Sequence, residues 1–355
     1  MANVVAYGFY DLRSIFNQRV TDENIPQIRD AIQRTLDEYN RQHNAMLAAF
    51  ADPTTQFQRT YKQLQGARLQ PLDENGRARP IQGRGKYDIA FPIRDAGTAW
   101  GANYKALKKM TVEDANDIAV QAQMADRLWV RDQLFAALFT DVDVTYDDPE
   151  HGELIVKPLA NGDETTYLRV NSVTSSTDSH FVGELDAIAD VSDPFPAIYE
   201  DLMEHPENQG EVVTLASTSL IPAIKNLTGF YEQGDADIQQ GLGTAILTGA
   251  LGMNLPGRVV GKYSGGPWIG EWTSIPAGYM ISLTTAGPRA LGMRQEPEAD
   301  LQGFYLAGNR DDHPFYERQW ARHLGFGAQN RVGVRIDYRG SDTYTEPTGY
   351  TAPIV

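Results

Sequence analysis

Chemistry in this chain would have to come from a short set of side chains. The histidines are His43, His151, His180, His205, His313 and His323. None forms a His-Glu-x-x-His pair or another close metal-ligand spacing. Asp311, Asp312 and His313 make a tempting cluster, better explained as a loop of solvated charges. Gly241 and Gly243 lack the third glycine of a dinucleotide fingerprint and follow no convincing strand. Neither a Gly-Lys-Ser/Thr phosphate loop nor a Gly-x-Ser-x-Gly nucleophile elbow occurs. Cysteine is absent, which removes disulfides, thiolate metal sites and a cysteine nucleophile. Asp141, Asp143 and Thr145 match the first alternating positions of a calcium loop, but Tyr146 stands where glycine is needed and Gly152 where the bidentate glutamate should be. Asn226 to Thr228 matches a glycosylation sequon inside an expected helix and is discounted. No catalytic residue, metal or cofactor is expected.

The charge distribution is more informative. Residues 56–110 hold eleven Lys/Arg (Arg59, Lys62, Arg68, Arg77, Arg79, Arg84, Lys86, Arg94, Lys105, Lys108, Lys109) against four acids (Asp73, Glu74, Asp88, Asp95), in a chain whose formal net charge is -16. The same segment reads as two extended arms, 57–72 and 77–94, folded about Asn75 and Gly76. Gly66, Pro71, Pro80, Gly83 and Gly85 interrupt the alternation, which suits a ribbon bending over a surface. A disordered basic loop is the alternative, and Tyr61, Leu64, Leu69, Tyr87, Ile89, Phe91 and Ile93 argue against it. A basic hairpin on an acidic protein is expected to lie across an acidic neighbour, most simply another copy of the chain. The acidic stretch with Asp141, Asp143, Asp147 and Asp148 is the candidate receiving face. The acidic balance argues against wrapping nucleic acid directly, because such binding rests on neutralising phosphates.

The elements that position these charges follow from periodicity. Ile25, Ile28, Ile32, Leu36, Tyr39, Met46, Leu47 and Phe50 form one helical stripe over 24–50, capped by Asn24 or Asp22, with Pro26 in the first turn and Pro53 closing it. Residues 112–139 contain neither glycine nor proline, and Thr111 with Asp114 resembles a capping box. This predicts an unbroken helix about 40 Å long with Ile118, Ala122, Ala125, Trp129, Leu134, Leu138 and Phe139 supplying apolar faces. An acidic loop, 141–153, is expected after it. Helices are expected over 194–205 and 217–231, and strands over 154–158, 166–170, 211–215, 244–248, 258–263, 279–285, 291–295 and 303–307. A long extended stretch, 315–338, closes the chain, followed by a Pro-rich tail. The five tryptophans are expected in cores or interfaces. The N-terminus shows no secretion signal, no apolar run is long enough for a membrane helix, and synthesis and folding in the cytoplasm are expected.

This order of parts (arm, helix, long hairpin, unbroken helix, mixed α/β block, final strand) resembles the major capsid protein of tailed double-stranded DNA bacteriophages, the Hong Kong 97-type family. The resemblance is strongest over 256–338. There Gly257, Arg258, Val259, Val260 and Gly261, then the run from Ser274 to Ser282, look like the family's edge, small-residue turn and strand. Arg318 to Arg322, followed by Gln329 to Arg335, looks like its closing strand pair.

The resemblance implies an α+β fold with an N-terminal arm and helix (1–55), an extended β-hairpin loop (56–110), a peripheral domain (111–179 and 311–355) built on a spine helix (111–140), and an axial domain (180–310). It implies a structural protein, not an enzyme, that assembles with itself in pentamers and hexamers into an icosahedral head around DNA it does not read, with no membrane. Portal, scaffolding and decoration proteins are implied partners, and the virion, assembled in the host cytoplasm, the implied location. The helix at 24–50 is expected to be a retained arm rather than a cleaved segment. Lys62 and Lys86 are the loop lysines, for which ordinary salt links are preferred over covalent cross-links. An encapsulin-type compartment and an acidic α/β enzyme with a basic substrate loop are the alternatives.

Overall fold

The computed structural model describes residues 8–9, 12–20, 25–62, 71–77, 86–170, 174–175, 177–232, 255–310, 315–350 and 352. The expected caps Asp22 and Asn24, the pair Gly241 and Gly243, the strand 244–248 and the cluster of Asp311, Asp312 and His313 lie outside them.

Helix α1 (Ile25–Leu47) buries Ile28, Ala31, Ile32, Thr35, Leu36, Tyr39, His43 and Leu47, the three-and-four spacing of one helix face. Strand β1 (Ala51–Thr54) follows and includes Pro53, which is tolerated because β1 is a sheet edge. Strands β2 (Gln58–Lys62) and β3 (Lys86–Ala90) pair antiparallel as the described base of the hairpin. Strand β4 (Arg94–Asn103) and a short helix α2 (Tyr104–Leu107) lead to α3 (Val112–Phe139). The capping box is present: Asp114 N–H donates to Thr111 Oγ1 at 3.2 Å and Thr111 N–H donates to Asp114 Oδ2 at 2.7 Å.

The stretch expected as an acidic loop is instead a hairpin, β5 (Val144–Asp148) and β6 (Gly152–Val156). Asp148 makes the turn by accepting the N–H groups of Glu150 and His151, each at 3.0 Å, and Gly152 takes φ 74°. Then come β7 (Tyr167–Leu168), β8 (Thr174–Ser175), β9 (Phe181–Glu184), α4 (Phe195–Met203) and β10 (Gln209–Ala216). The expected helix 217–231 shortens to α5 (Ile221–Lys225) and a strand β11 (Phe230–Glu232). Asp190 takes the Thr228 N–H and hydroxyl at 2.8 and 2.6 Å, bonds a continuing helix would not allow. Strands β12 (Arg258–Tyr263), β13 (Trp268–Glu271), β14 (Tyr279–Ala286), β15 (Leu291–Arg294) and β16 (Tyr305–Arg310) precede β17 (Phe315–Ala328) and β18 (Val334–Arg339).

Two sheets carry the architecture. One runs β1-β15-β17-β16, with β4 also paired to β17. The other runs β11-β12-β13-β10-β14-β18-β9. The stretch 315–338 is therefore two strands in two sheets, and β17 and β18 do not form a pair with each other. β4 is bonded to β17 from Phe315↔Asn103 to Leu324↔Arg94, so residues 94–103, expected in the hairpin, lie in a sheet. The largest core packs the C-terminal half of α3 (Val130, Leu134, Phe135, Leu138, Phe139) against β10, β14, β15 and β18. A second core joins α1 to the N-terminal half of α3 and to Trp320 of β17. A third sets α4 and α5 on the seven-stranded sheet.

Candidate interaction surface

The hairpin is rooted by one aromatic side chain. Phe91, just past β3, is 1% exposed, and its N–H donates to the Phe57 carbonyl at 2.8 Å. The ring lies over Gly292 of β15 and Gly327 of β17. A Cβ at Gly292 would stand 2.5 Å from the ring, and one at Gly327 would stand 3.0 Å from it. Glycine is required at both by close approach alone. Above this root Tyr61 and Tyr87 stack across the strands at 5.7 Å, with the Arg59 guanidinium 5.4 Å from the Tyr61 ring. Burial pushes the Tyr87 hydroxyl up to about 12. These residues overhang a cleft of about 490 Å³, walled opposite by Tyr167, Glu207 and Arg331. Residues 71–77 are all exposed. Asp73 shapes that turn, accepting the N–H groups of Asn75 and Arg77 at 2.9 and 2.8 Å.

The expected basic residues fall in different places. Arg59, Arg77 and Lys86 are exposed. Lys62 pairs with Lys86 through the backbone register, and its side chain lies outside the described residues, as do Arg68, Arg79 and Arg84 entirely. Arg94 is half-buried at the start of β4, 5.5 Å from the ring of Tyr146 on β5.

The expected acids also separate. Asp147 is exposed, and Asp143 is salt-bridged to Lys157 at 2.6 Å. Asp141 is half-buried, its N–H bonded to Glu346. Asp148 is buried against Arg294 of its own chain, Oδ2 to Nη1 at 2.5 Å, and the same nitrogen donates to the Phe91 carbonyl at 3.0 Å. Burial raises the Asp148 carboxyl, and the bond and charge of Arg294 together with the N–H groups of Glu150 and His151 more than offset it, leaving it below the usual range. The Phe57 ring lies tilted against His151 of the β5–β6 turn, centroids 3.7 Å apart, and the Tyr146 hydroxyl donates to the Ile93 carbonyl. The acidic hairpin thus braces the root of the basic one within a single chain. Sequence reasoning missed Arg294, Tyr146 and His151 in this role, because their partners are far away along the chain.

A second anchor is Arg331, in the turn between β17 and β18. Its fully buried guanidinium donates to the carbonyls of Pro158 (2.6 Å) and Leu159 (3.1 Å), to Asn161 Oδ1 (3.1 Å), to Asp163 (3.0 Å) and to Thr165 Oγ1 (3.2 Å). Every donor is satisfied, so the charge can stay buried.

No family model and no curated protein matches the sequence. Solved structures do. A chain from Mycobacterium phage Patience is 21% identical, covers 100% of this chain and 99% of its own length, and superposes with a TM-score of 0.69. The capsid of a native GTA particle is 12% identical over 84% of this chain and 90% of that one, at a TM-score of 0.47. The SrpI encapsulin complex of Synechococcus elongatus is 9% identical over 85% and 89%, at 0.41. Matched over its full length by the phage chain, this protein has the α+β Hong Kong 97-type capsid fold.

Proposed function

We propose that this chain is a shell subunit: many copies close into the icosahedral head of a tailed double-stranded DNA phage, in pentamers and hexamers. The observation that carries the reading is an end-to-end fold match to a phage chain combined with a basic hairpin whose described tip, 71–77, stands exposed. Closure makes many weak contacts act together. The hairpin's attraction is electrostatic and weakens with salt where exposed. The role is structural rather than catalytic. Arg59, Arg77, Lys86 and the exposed Asp147 are the intersubunit candidates on the described surface, whereas Asp148 serves its own chain.

The topology supports a division in which the extended loop proper is 56–93, with β4 joining the peripheral sheet. That sheet also takes β15 and β16, and the axial sheet takes β18. The virion is the proposed location, reached by assembly in the host cytoplasm with portal, scaffolding and decoration proteins as further partners.

Electron microscopy of the purified chain tests this. Rings, shells or tubes are expected. A uniformly monomeric chain at high concentration and low salt would overturn the reading, and shells filled with a packaged enzyme would turn it into an encapsulin.

A further inference from the structure

We propose that Asp178, Glu204 and His205 form a site for one divalent cation of zinc-like ligand preference. His205 follows α4, and its side chain is 1% exposed. Its Nδ1 lies 3.2 Å from the Leu168 carbonyl oxygen. A carbonyl only accepts, so Nδ1 carries the proton and Nε2 presents a lone pair. That Nε2 is buried and has no hydrogen-bond partner among the described residues. It faces Glu204 Oε1 at 3.7 Å and Asp178 Oδ2 at 4.0 Å, and one ligand atom from each of the three residues lies within 4.8 Å of the others. Three potential ligand atoms therefore converge on one point, an arrangement a cation resolves. Arg169 grips the opposite oxygens, Asp178 Oδ1 and, at 3.0 Å, Glu204 Oε2, and so holds each carboxylate with its other oxygen toward His205.

The donor set decides the class of ion. One imidazole nitrogen and two carboxylate oxygens suit zinc and related first-row ions, whereas magnesium and calcium prefer oxygen alone. Ligand atoms about 2.0–2.2 Å from zinc stand about 3.3–3.6 Å apart in a tetrahedron, so small side-chain rotations close the site, with water as the fourth ligand. The carbonyl behind Nδ1 is the usual outer support of a metal-bound histidine. The ion would pin the β7–β8 segment to the end of α4, where Val170 N–H already meets the Glu204 carbonyl at 2.6 Å. Sequence spacing hides the site because Asp178 is remote from the adjacent Glu204 and His205.

The test uses the full chain stripped with chelator and titrated with zinc, reading bound metal per chain and the shift in thermal midpoint. One saturable zinc per chain is expected, with a rise in midpoint. His205→Asn and Glu204→Gln should each weaken binding by about tenfold or more and abolish most of the rise. Glu204 is partly exposed, so Glu204→Gln tests the site even if the buried histidine variant fails to fold. The absence of saturable zinc, or a Glu204→Gln chain that zinc binds and stabilises as it does the parent, overturns the proposal. The readout is per chain and does not depend on shell formation.

Discussion

Arg322 of β17 grips Asp126 of α3 with two parallel hydrogen bonds, Nε to Oδ1 at 2.5 Å and Nη2 to Oδ2 at 2.8 Å, and both side chains are 1% exposed. Tyr39 of α1 donates its hydroxyl to Asp126 Oδ2 at 2.8 Å. Three elements remote in sequence meet at one carboxylate. Removing one charge strands the other in the core, so Asp126→Asn should cost about 3–5 kcal/mol in urea unfolding of the dissociated chain. Tyr39→Phe removes the bond to this charged acceptor and leaves the ion pair in place, and should cost about 1.5–3 kcal/mol. The double variant Asp126→Leu with Arg322→Met should be more stable than Asp126→Asn, because no unpaired charge remains. A double variant weaker than that single would show that the pair is a net source of stability.

His43 lies one helical turn beyond Tyr39, stacked on it at 5.4 Å, and neither ring nitrogen has a hydrogen-bond partner among the described residues. Burial, with Arg322 and Arg127 nearby, pushes its pKa down to about 3. Burial likewise lowers His180, to about 4. In the unfolded chain both rings titrate near 6.5. Below that pH the unfolded state binds protons that the native state refuses, so stability falls as pH falls from about 6.5 and levels off near 3 to 4. Each histidine contributes a slope of about 1.4 kcal/mol per pH unit within its window. Replacing His43 by Phe should flatten the curve of unfolding free energy between pH 4 and 6. An unchanged slope would show that His43 is protonated in the folded chain.

The contact of Phe91 with Gly292 and Gly327 predicts a hinge-specific defect. Gly292→Ala forces a methyl group to within 2.5 Å of the ring and should cost about 1–3 kcal/mol. Phe91→Ala empties the root and should cost about 3–5 kcal/mol. Limited proteolysis should then cut within 56–93 before the rest of the chain. Cleavage spread evenly along the chain would mean that Phe91 stabilises the body rather than the hairpin.

Legibility in the sequence followed locality. The limits of α3, its capping box at Thr111 and Asp114, and β12 at 258–263 were readable because each rests on neighbouring residues. What failed was set by partners far away. Asp148 looked like one surface acid among several, yet it is buried against Arg294, and nothing within its own hairpin signals that. Ala125 was expected on an apolar face and is exposed, while Gln123 and Asp126 beside it are buried. Arg322, which holds Asp126 inward, is 196 residues from it, and Gly8, whose N–H meets Gln123 Oε1, is 115 residues from Gln123. The closing strands are present as β17 and β18, but their placement in two different sheets was hidden for a related reason. Arg331, bound to the 158–163 segment, turns the chain out of one sheet and into the other.

The same inversion leaves Met124 and Leu128 one turn apart on the outer face of α3, 48% and 52% exposed. Burying two such side chains between copies would contribute roughly 1.5–3 kcal/mol each if burial were complete. Met124→Glu with Leu128→Glu removes no contact of the main core and should leave the unfolding midpoint of the dissociated chain within about 0.5 kcal/mol of the parent. It should nonetheless suppress shells in electron micrographs, because the charges would be desolvated at each closure contact. Arg77→Glu at the exposed hairpin turn should also weaken assembly, and raising salt should narrow its difference from the parent, since screening acts on that charge and not on the apolar pair. Normal shell yield from the double glutamate variant would place this face of α3 toward solvent, leaving the hairpin as the contact that holds copies together.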